Sequence, residues 1–155
     1  WGPALVEQLA RSSVLHVASH VLTQAGAPGR STLRLDGGAG STPVTLRDVA
    51  GLRLRADLVF LSCCEAARRH SRHGDGLTDF ARAFLTAGAR SVVASTARVD
   101  DEAARLVATA FYRHWGRGKS KAAALRAALL ELRDGGAGFD HPYFWASYRL
   151  VGEAR

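Results

Sequence analysis

Three short apolar runs constrain the fold of this chain more than any other feature of its sequence. They read SVLHVASH, ADLVFLSC and RSVVASTARV, and helical patterns such as GLTDFARAFLTAGA alternate with them. Because these runs mostly lack a period of two, both faces of their sheet are expected to be buried. The sequence therefore predicts an α/β fold, a three-layer sandwich in which helices flank a mostly parallel sheet.

Shorter elements surround these runs. PALVEQLARSS has the apolar spacing of a helix, and TLRDVAGLRL predicts a short helix that ends at Gly51. The Gly- and Ser-rich stretch from residue 23 to 45 indicates loops around a short strand at Thr32 to Leu35. Asp100 and Asp101 suit the start of a helix that runs to about Trp115. Ser120 is a candidate cap for the next helix, and YFWASYRLVG predicts a last strand.

The length and charge of the chain limit its functions. Its 155 residues fit one domain, and because it begins at Trp1 and contains no Met, we expect a fragment of a larger protein. No apolar run reaches the roughly 20 residues that span a bilayer, so no membrane partner is expected. The net charge is +7, but Arg is scattered over every segment and is not interleaved with aromatic residues. This distribution favours a solvated basic surface over nucleic-acid binding.

A histidine and a cysteine follow two of the predicted strands. In open parallel sheets the ligand crevice lies outside the carboxyl ends of the strands, and His20, Cys64 and the segment from Thr96 to Asp100 reach that edge. A thiolate is a strong nucleophile, and a nearby imidazole can act as its base or its ion-pair partner. Buried Cys and His can equally be structural, so from these positions alone both interpretations stay open.

The neighbouring Cys63 and His16 are weaker candidates. Cys63 belongs to the strand itself, whereas Cys64 is expected at its end, and successive strand residues lie on opposite faces. His16 precedes His20 by four residues, which places it roughly 13 Å back, in the middle of the sheet. We therefore select His20 and Cys64.

Disulfide and metal chemistry are less favoured. Two adjacent cysteines are too few for a disulfide framework and indicate a reducing, cytoplasmic setting. Either cysteine with His70 and His73 would give three zinc ligands, one short of a structural site, among several arginines. We expect neither a metal nor a cofactor.

Several blocks of the sequence together resemble a known family. They are LHVASH, LVFLSCCEA, GDGLTDFARAFLTAGARSVVAS, VDDEAARLVATAFYRHW, KSKAAALRAALLELR and HPYFWASYRLVG, in order from about Val14 to Gly152. The chain resembles the CHAT domain, a caspase-like cysteine peptidase domain of the caspase and separase clan. The resemblance implies a caspase–hemoglobinase fold, whose first strands would lie upstream of Trp1. It also implies a Cys–His dyad and adjacent repeat or sensor domains.

The family motifs place the dyad on the same two residues. The motif His-x-Ala-Ser/Thr-His-Gly puts the catalytic histidine at His20, and Leu-Ser-Ala-Cys-x-Thr-Gly puts the nucleophile at Cys64. The resemblance implies an oxyanion hole formed by the amides of Cys64 and of the residue after His20. That residue is Val21 instead of Gly, and Ala66-Ala67 replaces Thr-Gly.

Two functions follow from this resemblance. The first is a cysteine endopeptidase that acts on a protein or peptide substrate. The alternative is a catalytically impaired scaffold or regulatory interaction module, which the exchanges at Val21 and Ala66-Ala67 favour.

Further residues are candidates for binding and processing. A basic substrate side chain would need an acid in its pocket, and the candidates are Glu65, Asp75 and Asp100. Asp75 and Asp100 also suit helix starts. Arg68 or Arg69 is expected to precede any self-processing cut in the loop after Cys64.

Overall fold

A computed structural model describes residues 3–22, 31–34, 43–65, 75–96 and 99–155 of the chain. Within these ranges the side chains of Pro3, His20 and residues 63–65 and 75–77 are outside the description. The helices are α1 (Pro3–Arg11), α2 (Leu46–Ala50), α3 (Asp75–Thr86), α4 (Asp101–Gly116) and α5 (Lys121–Asp134). The strands are β1 (Val14–Leu22), β2 (Thr32–Arg34), β3 (Val44–Thr45), β4 (Leu58–Glu65), β5 (Ser91–Ser95) and β6 (Tyr148–Gly152).

The six strands form one sheet in the order β3-β2-β1-β4-β5-β6. The central strands β1, β4 and β5 come from the three apolar runs and are parallel to one another. β2 and β6 pair antiparallel with the outer two of these, and β3 pairs antiparallel with β2. Most strands therefore share one direction, as the sequence predicts.

Helices cover both faces of the sheet, which confirms the expected three layers. One core lies on the side of α1, α2 and α3, where Phe80 and Phe84 of α3 pack with residues such as Val59 and Leu61 of β4. The other core lies on the side of α4 and α5, where Phe111 of α4 belongs to the same cluster as Phe60 of β4. Adjacent strand residues thus alternate between the two cores, so both faces of β4 are apolar.

Local capping chemistry sets where the helices begin and end. Thr45 and Asp48 form a capping box at the start of α2, which ends at Gly51. The Asp100 carboxylate accepts hydrogen bonds from the amides of Glu102 and Ala103, and the Ser120 hydroxyl accepts one from the amide of Ala123. These three helix boundaries confirm the sequence expectations.

The start of α5 is also fixed to the sheet by an ion pair whose lysine is buried and whose aspartate is partly exposed. The Lys121 side chain is 3% exposed, and its Nζ lies 3.0 Å from Oδ1 of Asp57, the residue before β4. A buried ammonium is costly without a hydrogen-bonded anion, so this pair ties α5 to the amino-terminal edge of the sheet.

The carboxyl-terminal strand is shorter than the sequence predicts. The run YFWASYRLVG was expected to be extended throughout, but Pro142–Phe144 form a 3₁₀ turn and β6 begins at Tyr148. His141 caps this turn by accepting the amide of Tyr143, and Pro142 occupies its first turn. The two-residue strand β3 also lies in a stretch that was expected to be loop.

None of the helices in the described ranges is both long enough and apolar enough to cross a membrane.

Candidate functional site

The structure pairs the backbones of His20 and Cys64. β1 and β4 are parallel neighbours, and their register makes these two residues Cα partners. Neighbouring strands lie about 4.8 Å apart, so the two positions are adjacent near the carboxyl ends of both strands. β4 continues to Glu65 and β1 to Leu22, so both residues lie just inside their strands rather than beyond them.

Other residues selected from the sequence lie around this pair or outside the described ranges. Cys63 pairs with Ser19 in the same ladder, and Glu65 pairs with Val21. Asp75 is the first residue of α3. The remaining selected residues, which lie outside the described residues, are Ala66, Ala67, Arg68, Arg69, His70 and His73. In the part of the chain that is described, no three His, Cys, Asp or Glu residues are grouped to hold a metal ion.

A cavity of about 550 Å³ lies between the sheet and α4, on the face that carries Ala18 and Ser62. These two small residues are Cα partners on β1 and β4, two residues before His20 and Cys64. The wall of the cavity consists of α4 residues at helical spacing: Asp101, Ala104, Arg105, Ala108, Thr109 and Tyr112. The small side chains of the sheet and of the helix leave the space open.

His16 and Tyr112 also line this cavity. Nδ1 of His16 lies 3.1 Å from the hydroxyl of Tyr112, and the imidazole stacks on Phe60 with ring centroids 5.2 Å apart. Desolvation lowers the pKa of His16, and burial raises the pKa of Tyr112 to about 12. At neutral pH the imidazole is therefore neutral and the phenol is protonated. This part of the cavity can form hydrogen bonds without carrying a charge.

The charged residues of the cavity are on α4. The Arg105 guanidinium donates two hydrogen bonds to the Glu102 carboxylate, at 2.8 and 2.7 Å, which raises the pKa of Arg105. Asp101 lines the cavity. Asp100, the acid selected from the sequence, is instead engaged as the helix cap, with its Oδ1 3.0 Å from the amide of Glu102.

Sequence reasoning missed three residues of this cavity. His16 was set aside because it lies in the middle of β1; it does pair there with Phe60, and it is exposed to the cavity. Asp101 and Tyr112 were assigned to a helix without a role. The available signal was the i, i+4, i+8 spacing of small residues at Ala104 and Ala108 before Tyr112, which leaves one helix face shallow.

Val21, the residue in the place of the family glycine, is part of the core. Its side chain is 0% exposed and belongs to the cluster that includes Leu33 and Leu61. Its backbone pairs with Leu33 of β2 and with Glu65 of β4. The valine side chain therefore fills the opposite side of the sheet from the cavity and is not among the residues that line it.

Comparison with known proteins identifies the family. A family model described as the CHAT domain matches residues 3–153. Tetratricopeptide repeat protein 28 of Mus musculus is 35% identical over 109 residues, which are 70% of this chain and 4% of that protein. The Homo sapiens protein of the same name is 34% identical over 109 residues, with the same coverage. The chain thus spans a small part of these relatives, and it belongs to the CHAT domain family.

Proposed function

We propose that this chain is a cysteine endopeptidase of the caspase-like CHAT type, with Cys64 as nucleophile and His20 as its partner. The Cα pairing of these residues in the parallel ladder of β1 and β4 supports the proposal most directly. Alternate residues of a strand share a face, so positions 20 and 64 belong to the cavity face of Ala18 and Ser62. A cysteine and a histidine at paired backbone positions are the minimum for thiolate chemistry.

The proposed reaction proceeds through an acyl-enzyme. The Cys64 thiolate, whose proton is on His20, attacks the scissile carbonyl and forms a tetrahedral oxyanion. The C–N bond then breaks as His20 donates its proton to the leaving amine. In the second half, His20 takes a proton from water and the resulting hydroxide attacks the thioester. The C–S bond then breaks, the carboxylic acid is released, and the thiolate of Cys64 with protonated His20 is restored. The amide of Cys64 is the proposed donor to the oxyanion. The family resemblance implies the Val21 amide as a second donor, and the pairing of Val21 with strands on both sides opposes that role.

We place the substrate side chain in the cavity next to the dyad. Its volume exceeds that of a single side chain, and its small residues Ala18 and Ser62 lead directly to positions 20 and 64. Glu65 and Asp75 remain candidate acids for a basic substrate, as does Asp100. Because Asp101 lines the cavity whereas the Asp100 carboxylate caps α4, Asp101 is the better-placed acid for this role.

Filling the cavity should block the substrate without changing the dyad. Thr109 is exposed on α4 and lines the cavity, so a Thr109→Trp variant places an indole there. We expect kcat/KM for peptide cleavage to fall at least about tenfold, because about 1.4 kcal/mol of lost binding suffices. Thr86→Trp, at an exposed position of α3 on the opposite side of the sheet, is the matched control. Equal kcat/KM for the two variants would contradict this placement of the substrate.

The proteolytic function is tested by digestion of a peptide library. The intact chain is incubated with the library, and products are identified by mass spectrometry before and after alkylation with iodoacetamide. We expect discrete cleavage products that disappear after alkylation. Absence of cleavage, or cleavage that survives complete alkylation, contradicts a cysteine endopeptidase.

A second candidate function is a non-catalytic interaction module, and the environment of Val21 favours it. A strand amide lies in the plane of the sheet, and Val21 is paired with neighbours on both sides, so its N–H is directed at a strand and away from a substrate. The two functions differ in thiol reactivity. An activated Cys64 is alkylated faster than Cys63 at neutral pH. A His20→Ala substitution then slows the alkylation of Cys64. Equal rates for both cysteines in a chain that cleaves no peptide support the interaction module.

The longer protein would supply regulation and substrate. Because the relatives are named for tetratricopeptide repeats, we propose that repeat or sensor domains flank this domain in its full-length chain. We further propose a reducing, cytoplasmic setting, which keeps the thiol free. We also propose that any self-processing cut follows Arg68 or Arg69, in the stretch of chain after Cys64.

A further inference from the structure

A second concave surface lies at the β6 edge of the sheet, away from the proposed active site. We name it the α5–β6 groove, and its volume is about 350 Å³. In the part of the chain that the structure describes, the residues that line it are all different from those that line the cavity at β1 and β4. It is lined by Ala122, Leu125, Arg126, Leu129, Leu130, Arg133, Trp145 and Leu150.

The floor of the α5–β6 groove is apolar and partly exposed. Leu129, Leu130, Trp145 and Leu150 are all half-buried, although they adjoin one another. The indole N–H of Trp145 donates to the carbonyl of Asp140 at 3.0 Å, so the polar atom of this side chain is satisfied within the fold. A contiguous set of large apolar side chains with a polar rim is typical of a surface that binds a partner.

Two arginines make the rim of this groove basic. Arg126 and Arg133 lie seven residues apart on α5, about 10.5 Å along its axis, and they bracket Leu129 and Leu130. Within the described ranges Arg126 forms no ion pair, whereas Arg133 donates two hydrogen bonds to Asp134. Among the described residues that line the groove there is no carboxylate. The groove therefore combines an apolar floor with the unpaired charge of Arg126 and with the charge of Arg133, which Asp134 partly compensates.

We propose that the α5–β6 groove binds an amphipathic helix with acidic flanks. A helix parallel or antiparallel to α5 needs the same seven-residue spacing to place two carboxylates opposite Arg126 and Arg133. Apolar residues three and four positions after the first acid of the bound helix then contact Leu129 and Leu130. The lining residues of α5 run from Ala122 to Arg133, about 16 Å, which matches roughly three turns of a bound helix.

Charge also selects this occupant over a second copy of the chain. The chain carries a net charge of +7, so a second copy approaches the two arginines with a like overall charge. Like charges at an interface oppose association, whereas an acidic helix is attracted and oriented by the same groups. This inference does not depend on proteolytic activity.

The test uses two labelled synthetic peptides and fluorescence anisotropy. Both are capped helical 20-residue peptides with an Ala- and Gln-rich background; one contains Glu-x-x-Leu-Leu-x-x-Glu and the other Lys at the two Glu positions. We expect the Glu peptide to bind with a dissociation constant of about 1–100 µM, at least about tenfold tighter than the Lys peptide. No saturable binding of the Glu peptide, or equal binding of both, would overturn the proposal.

Charge reversal on the protein locates the binding surface. Arg126→Glu is expected to weaken binding of the Glu peptide at least about tenfold and to strengthen binding of the Lys peptide. Arg82→Glu makes the same change in net charge at an exposed position of α3 on the other side of the sheet. It is expected to leave the affinities for both peptides unchanged. An equal effect of the two variants would show non-specific attraction and overturn the site. Sedimentation that shows a dimer, dissociated by Leu130→Ser, would assign the groove to a second copy instead.

Discussion

Replacement of Cys64 by Ala is expected to abolish peptide cleavage, with kcat/KM reduced at least about 10³-fold, because the variant has no nucleophile at this position. The adjacent Cys63→Ala variant is the matched control and is expected to retain activity within about threefold, since a cysteine in a strand acts mainly as a small apolar residue. The measurement is kcat/KM for the best peptide of the library, with circular dichroism to verify folding.

The outcome separates several assignments. Cleavage by Cys64→Ala at the rate of the unsubstituted chain would contradict the proposed dyad. Loss of activity in Cys63→Ala alone would identify Cys63 as the nucleophile. Among the histidines, His20→Ala is expected to reduce kcat strongly, whereas His16→Ala, which removes a residue that lines the cavity, is expected to act mainly on KM. Any chain that ends at Arg68 or Arg69 should also disappear from the mass spectrum of Cys64→Ala.

Truncation of Phe60 to Ala is expected to lower the free energy of unfolding by about 3–5 kcal/mol. Phe60 is 0% exposed in the central strand β4. The centroid of its ring lies 5.3 Å from the ring centroid of Phe111 and 5.2 Å from that of His16. Its loss leaves a void between the sheet and α4, in a domain whose total stability is about 5–15 kcal/mol. Urea denaturation, monitored by tryptophan fluorescence, measures the change.

Two further variants control for this result. Phe139→Ala removes the same side chain from a half-buried position against Phe144 and is expected to cost clearly less. Phe60→Leu keeps most of the buried volume and is expected to cost less than Phe60→Ala. Identical unfolding midpoints for Phe60→Ala and Phe139→Ala would contradict the central position assigned to Phe60.

The central architecture of this domain was predictable because its signals are local. Strands β1, β4 and β5 are encoded by apolar runs, and the helices by periodic spacing that each segment carries within itself. The caps at Asp100 and Ser120 need only a side chain within three residues of the amides that it accepts. The prediction was wrong for the start of the last strand. The apolar pattern assigned Tyr143 to Trp145 to that strand, but the His141 cap and Pro142 start a 3₁₀ turn there.

The proposed site was predictable in part. The rule that parallel strands present their carboxyl ends at one edge selected His20 and Cys64, and the backbone register makes them partners. The same rule says nothing about which helix faces that edge. As a result Asp101 and Tyr112, which line the cavity from α4, were assigned to the helix alone, and only the small residues Ala104 and Ala108 before Tyr112 indicated a shallow helix face.

By itself the sequence determined the layered α/β class and the main helix boundaries, because burial and capping act over short stretches, and it selected His20 and Cys64 for the dyad that we propose. The tertiary structure decided the register of β1 on β4, the cavity that His16 and Tyr112 share, and the α5–β6 groove with its two arginines. Each of these joins residues far apart in the chain, and such contacts depend on how whole elements pack against one another.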